Sequence, residues 1–373
     1  MSKAKPNDYN KHGQRKQNYL EIFDKFRAEG HFKSVGKLLG EGSFGEVREI
    51  IFKNKVMAGK VVLQEKNDEK TGEYFAHELK GRNIIKIQKI FLKEIEQKNY
   101  YLIIMEKAIL RDLGKLSEFY HNHNLLKLIF FPFDEQAGNN LMRFYTLQII
   151  NALENLNRNH MVHFDLKPEN LLISLSLIIK LSDFSLLKKI YGNEKKIRIP
   201  GGTAGYLTME YYNKSEISGE DAYKQDYFSL GATLYYIKYG KVMLKYKKCD
   251  DNESYLLTVL EKLQYQISKI QADGFADEGF VNLLLKLIAY NPEDRPSFWQ
   301  IYRNKWLNTD LEKLEETFSI FENDEEKLIM ELQKNDFLIE KQKQIKKKPS
   351  KYKFKKFKEK KRRKIKLIIF ELI

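Results

Sequence analysis

Cysteine is almost missing from this 373-residue chain: Cys249 stands alone. A lone thiol closes no internal disulfide, so a disulfide-stapled secreted scaffold is excluded and an intracellular location, cytoplasmic or nuclear, is expected. Cys249 itself reads as an ordinary residue rather than a reactive thiol. The first 18 residues, MSKAKPNDYNKHGQRKQN, lack the apolar core that a secretory signal needs. No apolar run approaches the roughly 20 residues of a membrane span, so no transmembrane segment is expected. His121, His123 and His160 have no cysteine or acidic partners at metal-ligand spacing, which sets aside a histidine metal centre.

Net charge is also scarce over most of the length. The formal total is +15, but from Lys341 to the end there are 16 Lys plus Arg against Glu359 and Glu371. That surplus of +14 leaves +1 for residues 1–340. The body is nearly neutral, and whatever the charge does belongs to a tail. Apolar residues are plentiful, at 42% with 24 Phe and 22 Tyr, enough for a substantial core. Two lobes sharing a cleft, with tails, is the natural reading of the size.

The chain is organised around HMVHFDLKPENLLI, residues 160–173. Asp165, Lys167 and Asn170, held by Pro168 in a short loop, suit accepting a hydroxyl proton, neutralising a phosphate and ligating Mg²⁺. Upstream, residues 31–62 alternate apolar and polar positions around a glycine cluster, which reads as a strand, a turn and two more strands. Gly40, Gly42 and Gly45 form GxGxxG. Dinucleotide-binding domains share that spacing, but there the glycines open a helix, whereas here EVREIIF continues as a strand and Lys60 follows in MAGK. Glycine backbone can lie close over a triphosphate, and a positioned ammonium offsets charge on its oxygens. YYLIIMEKA (100–108) reads as a buried strand. Residues 141–160 carry apolar residues at helical spacing, and a β-rich run from Asn170 ends in Asp183-Phe184-Ser185.

In order and spacing these motifs resemble the eukaryotic protein kinases, and DLKPEN resembles the serine/threonine branch. The resemblance covers about residues 31–307. It implies an α+β, bilobal kinase fold, with a small β-rich N-lobe (31–107), a larger mainly helical C-lobe (108–307), and ATP and Mg²⁺ in the cleft. It also implies that Lys60 pairs with phosphate while a helix glutamate holds it; in EKTGEYFAHELKGRNIIKI (69–87) Glu73 is preferred over Glu78. Gly40, Gly42 and Gly45 would cover the phosphates. Leu39, Val47, Ala58, Met105, Glu106, Ala108 and Leu172 would surround the adenine. Asp165 would orient the attacking hydroxyl with Lys167 beside it, and Asn170 and Asp183 would hold Mg²⁺. Thr203 would contact Asp165 and Lys167, Asp226 would brace the loop through backbone amides, and Glu210 would form a buried ion pair with Arg295.

Two departures carry expectations. Ser185 stands where the family has a glycine, which should restrict switching at that turn. Phe164 replaces the arginine that receives an activation-segment phosphate, and residues 186–202 contain no Ser or Thr, only Tyr191. Both point to an enzyme that needs no phosphate there. Outside the kinase region, residues 1–30 read as a polar leader with a short amphipathic turn in YLEIFDKF. Residues 308–340 read as an amphipathic helical extension, and 341–373 as a Lys/Arg-rich tail. Residues 113–140 read as an insertion packed on the large lobe, with a docking surface as the alternative. The tail suits nucleic acid, anionic lipid or an import receptor through KKRRK, and sequence does not choose. The expectation is a serine/threonine protein kinase acting on protein substrates; the alternative is a catalytically silent, nucleotide-binding scaffold.

Overall fold

The structure is a computed structural model that describes residues 19–42, 45–64, 72–108, 110–122, 135–174, 178–190, 196–213, 216–244, 252–273 and 277–308. Tyr191, Cys249, part of the 113–140 insertion, nearly all of the 308–340 extension and the basic tail lie outside these residues. The chain divides into two units, Met1–Glu78 with Ile85–Lys107, and Leu79–Ile84 with Ala108–Ile373.

The first unit is one sheet with a helix on its back. Five antiparallel strands, β1 (Val35–Gly42), β2 (Gly45–Phe52), β3 (Lys55–Leu63), β4 (Ile87–Ile95) and β5 (Lys98–Met105), run in the order β1-β2-β3-β5-β4. Lys53-Asn54 and Glu96-Gln97 turn the β2–β3 and β4–β5 hairpins with all four residues at positive φ, from 48° to 62°. That two-residue turn has the twist that matches paired strands. Helix α1 spans Tyr19–Ala28, where the sequence allows only a short amphipathic turn within a polar leader. The reason lies in the spacing of Ile22, Phe23 and Phe26. These three fall on one helical face and are buried with Ile50, Met57, Val61, Ile95, Tyr100, Leu102 and Ile104 of the sheet. Helix α2 (Gly72–Ala76) is a single short turn that carries Glu73.

Strand register sorts the sheet into two faces, because residues directly opposite in a ladder point the same way and neighbours along a strand alternate. Val47 opposes Lys60, Lys60 opposes Ile103, and Ala58 opposes Met105. Those five therefore share one face. Ile50 opposes Met57, Gly59 opposes Ile104 and Val61 opposes Leu102, and this second face is the one that α1 covers.

The second unit is mainly helical. Its elements are β6 (Leu110–Asp112), α3 (Leu113–Asn122), α4 (Glu135–Arg158), β7 (Met161–Val162), β8 (Leu171–Ile173), β9 (Ile179–Leu181), β10 (Lys188–Lys189), β11 (Ile197–Arg198), α5 (Met209–Tyr212), β12 (Glu216–Ile217), α6 (Gly219–Tyr239), α7 (Asn252–Gln271), α8 (Glu278–Leu287), α9 (Phe298–Tyr302) and α10 (Lys305–Asn308). Helix α6 is the central post. Ser218 Oγ caps it by accepting the Asp221 N–H at 3.0 Å, Gly240 ends it at φ 69°, and most of its side chains are buried on all sides. Its run from Tyr227 to Tyr235 is free of charge, as suits a segment buried all round. The detached piece Leu79–Ile84 is tied into this unit by Asn83, whose Nδ2 donates to Gln148 Oε1 (3.0 Å) and Ile179 O (2.9 Å). Asn155 Nδ2 adds a bond to Lys80 O at 2.7 Å. Among the described residues, no helix is long and apolar enough to cross a membrane.

Candidate active site

Local chemistry explains the loop that carries Asp165. After β7 the chain cannot continue as strand, because Pro168 has no N–H to give and starts the short 3₁₀ turn Pro168–Asn170. The strand resumes as β8, which pairs with β6 and β9. Asp165 is fixed from three sides. Its Oδ1 accepts from Thr203 Oγ1 at 2.7 Å, and its Oδ2 accepts from Lys167 Nζ at 2.8 Å and Asn170 Nδ2 at 3.1 Å. Lys167 also donates to Thr203 Oγ1 at 2.6 Å, so Asp165, Lys167 and Thr203 form a closed ring of hydrogen bonds. Asp165 is 5% exposed, so its carboxylate is an aimed group rather than a solvated one.

The loop is braced from beneath. Asp226, on α6, accepts the His163 N–H (2.8 Å) and the Phe164 N–H (2.9 Å) with its two carboxylate oxygens. Burial pushes the Asp226 carboxyl up from its ordinary range, while His163 and the two backbone donors pull it down. The brace holds Phe164 at φ 64°, a conformation a bulky residue rarely adopts unaided. His163 accepts the Asp165 N–H at Nδ1 (3.2 Å) and donates from Nε2 to Ser182 O (3.1 Å). The ring of Phe184 packs edge-on against it, 5.5 Å between centroids. The roles of His163 and Ser182 emerge from the fold, and in the sequence each is marked solely by its place beside a motif residue.

Asn170 and Asp183 are brought together through the backbone. Ser182 donates to Asn170 O from its N–H (2.9 Å) and its hydroxyl (3.0 Å), and Asp183 is the next residue. Asp183 sits at φ 60°, and the Ser185 hydroxyl donates to its Oδ1 at 3.0 Å. Asn170 spends its amide N–H groups on Asp165 O (2.8 Å) and Oδ2, so its amide oxygen is the atom it has to offer. An amide oxygen and a carboxylate form an oxygen donor set that suits a hard cation, which takes its remaining ligands from phosphate and water. Among the described residues there is no cluster of three His, Cys, Asp or Glu for an all-protein metal cage.

In the first unit, Lys60 Nζ donates to Glu73 Oε1 at 2.6 Å, and the two side chains are 8% and 2% exposed. Glu78, the other acid considered, is exposed. Val47, Ala58 and Met105 lie on the Lys60 face of the sheet, as the register requires. Glu106 exchanges bonds with Lys86, its N–H going to Lys86 O (2.9 Å) and its Oε1 accepting the Lys86 N–H (2.8 Å). Leu39 and Gly40 run up β1 toward the hairpin closed by Gly42 and Gly45. Of the three glycines only Gly45 is demanded by the protein itself, since a Cβ there would stand 2.0 Å from Val61 O. Gly40 and Gly42 have open space where a Cβ would go, so the protein interior does not require them. Ala108 follows β5, and Leu172 opposes Lys180 in β8. Glu210 and Arg295 form the expected buried pair, Nη2 to the two carboxylate oxygens at 2.8 and 3.1 Å.

A family model described as the protein kinase domain matches residues 33–307. Among curated proteins, the chain is 28% identical over 292 residues to 3-phosphoinositide-dependent protein kinase B of Dictyostelium discoideum, covering 73% of this chain and 28% of that one. It is 24% identical to the serine/threonine-protein kinase cds1 of Schizosaccharomyces pombe (76% and 60% covered) and 28% identical to an Aurora kinase of Debaryomyces hansenii (73% and 61% covered). The aligned stretch thus spans less than two thirds of each of these relatives. The match to the family covers most of the chain, and the fold agrees with it: the protein belongs to the protein kinase family.

Proposed function

We propose that the protein is an active serine/threonine protein kinase that transfers the γ-phosphate of ATP, with Mg²⁺, to Ser and Thr hydroxyls of protein substrates. The observation that supports this most is the closed hydrogen-bond ring on Asp165, which fixes one carboxylate and one ammonium side by side. Asp165 orients the substrate hydroxyl and accepts its proton, and Lys167 offsets charge on the phosphoryl oxygens beside it. Lys60, held by Glu73, presents a fixed ammonium to the phosphates, and the space above Gly40 and Gly42 lets backbone approach them, with Gly45 closing the flap. Leu39, Val47, Ala58, Met105, Glu106, Ala108 and Leu172 are assigned to the adenine. Asn170 and Asp183 would hold Mg²⁺, which would supply positive charge to offset that of the phosphates.

The same reading holds that no phosphate is needed on the segment after Asp183. Phe164, in the position of the phosphate-receiving arginine, is buried with Val162, Ile190, Ile197, Ile199, Ile217 and Ala222. Apolar burial there takes the place of an ion pair with a phosphate. For the tail, residues 341–373, we retain binding to a polyanion or import receptor; deleting it would abolish that binding and spare peptide phosphorylation.

The test is transfer of labelled γ-phosphate from Mg-ATP to a generic basic protein. Asp165→Asn is expected to lower transfer onto Ser and Thr by about 10² to 10⁴-fold, the usual contribution of a positioned acid–base group. Phosphatase treatment of the wild type is expected to leave the rate unchanged. A specific observation favours a second reading, a silent scaffold: the Ser185 hydroxyl occupies a lone pair of the Asp183 carboxylate. Nucleotide binding without any transfer would support it.

A further inference from the structure

The family match begins at residue 33, yet the core of the first unit begins at Tyr19. Helix α1 supplies three of the buried side chains on the second face of the sheet, and Phe23 and Phe26 are completely inaccessible to solvent. Its contact with β3 is specific. Gly59 has no side chain, and the space a Cβ would take is bounded by Ile50 Cδ1 at 3.0 Å, Ile50 Cγ2 at 3.2 Å and Phe23 Cε1 at 3.3 Å. Phe23 and Ile50 together occupy the space that any larger residue at 59 would need, Ile50 from the neighbouring strand and Phe23 from the helix. The Phe23 ring also meets Phe32 edge-on at 6.3 Å. The helix and the residues just after it are fastened to the β4–β5 hairpin: Lys25 Nζ of the helix bonds Glu96 Oε1 at 2.8 Å, and beyond it Glu29 pairs with Lys93 and the His31 ring centroid lies 4.0 Å from that of Phe91.

Gly59 is the residue before Lys60, whose side chain leaves the opposite face and closes a 2.6 Å bond with Glu73 on a helix only five residues long. A close-packed strand transmits displacement from one face to the other, and a hydrogen bond of this length tolerates little. We propose that α1 is a clamp built into the first unit and that Phe23, keyed against Gly59, is a positioning residue for the Lys60–Glu73 pair. This rests on the phosphate-pairing role given to Lys60 above.

The full chain is tested by calorimetric binding of ATP and of adenosine, each below the variant's unfolding midpoint. Adenosine has no phosphate for Lys60 to meet, so it separates positioning from general support. Phe23→Ala and Gly59→Val are each expected to weaken ATP binding by about 3 to 30-fold, the range for coupling through packed networks, with adenosine binding within about twofold. Combining them relieves the crowding against Phe23 while that against Ile50 remains, and is expected to weaken ATP binding by clearly less than the two single effects combined. If Phe23→Ala does not fold, Phe23→Leu carries the same comparison. Equal weakening for both ligands, unchanged ATP binding, or simple additivity in the double variant would each overturn the inference. A wild type that binds neither ligand would overturn the kinase reading, and this inference with it.

Discussion

Arg295 shows how much one residue can be asked to hold. Its guanidinium is bonded to both carboxylate oxygens of Glu210, to Ala289 O and Tyr290 O at 2.9 Å each, and lies 5.1 Å from the Phe228 ring centroid. Its side chain is 0% exposed. A buried ion pair adds little net stability over an apolar pair, but deleting one partner leaves the other charge stranded. Arg295→Ala is therefore expected to cost about 3–5 kcal/mol in urea unfolding, as is usual for a broken buried pair. Loss of under about 1 kcal/mol would mean that Glu210 finds another partner or takes up a proton. At the same scale, three glycines that look alike in GxGxxG prove unlike: Gly45 is required by the Val61 carbonyl, and the other two are not required by the protein interior.

Among elements, the segment after Asp183 is instructive. It is held by two short ladders, β10 on β7 and β11 on β12, with the Phe164 cluster between them. An arginine at 164 would bring a charge into that cluster with no phosphate to meet it. Phe164→Arg is expected to destabilise the protein by upward of about 2 kcal/mol, because an unsatisfied charged donor is costlier than a neutral one. It is also expected to lower phosphoryl transfer in proportion to the loss of these ladders, read as faster amide exchange at Lys188–Lys189 and Ile197–Arg198. Stability and exchange equal to the wild type would refute the apolar role of Phe164. Most elements were legible beforehand: the three strands around the glycines, the helix before the Asp165 loop and the β-rich run after it all follow their periodicity. Helix α1 was only half legible, because a 10-residue amphipathic stretch cannot announce that a sheet face awaits it. Glu73 is preferred over Glu78 in the sequence by its place relative to Asn83-Ile84-Ile85, and the fold pairs it with Lys60 at 2.6 Å.

For the whole molecule, buried phenols make a pH prediction. Burial raises Tyr145, Tyr206, Tyr227 and Tyr239 well above the ordinary tyrosine range, and the bond from the Tyr239 hydroxyl to Asp273 (2.8 Å) adds to the effect there. The unfolded chain ionises its tyrosines near pH 10, the folded one holds these four neutral. Their contribution to stability is accordingly complete below about pH 10 and is lost as pH rises beyond it. An ultraviolet titration is expected to show these four of the 22 Tyr ionising only together with loss of the helical signal. Smooth titration of all of them near pH 10 with the fold intact would contradict the burial.

What sequence alone determined is the family and the order of its motifs along the chain. Asp165, Lys167, Asn170, Asp183, the glycines and Lys60 stand out as candidates because the motifs that carry them are short and local, each set by residue types a few positions apart. The resemblance implied several of the partners, but the contacts themselves, and the place of Phe23 at Gly59, come from the tertiary structure. Thr203 reaches Asp165 across 38 residues, Asp226 reaches Phe164 across 62, Glu210 meets Arg295 across 85, and Phe23 fills the gap at Gly59. Such pairs are set by packing between elements, and no local period of the sequence records how far along the chain a neighbour in space will lie.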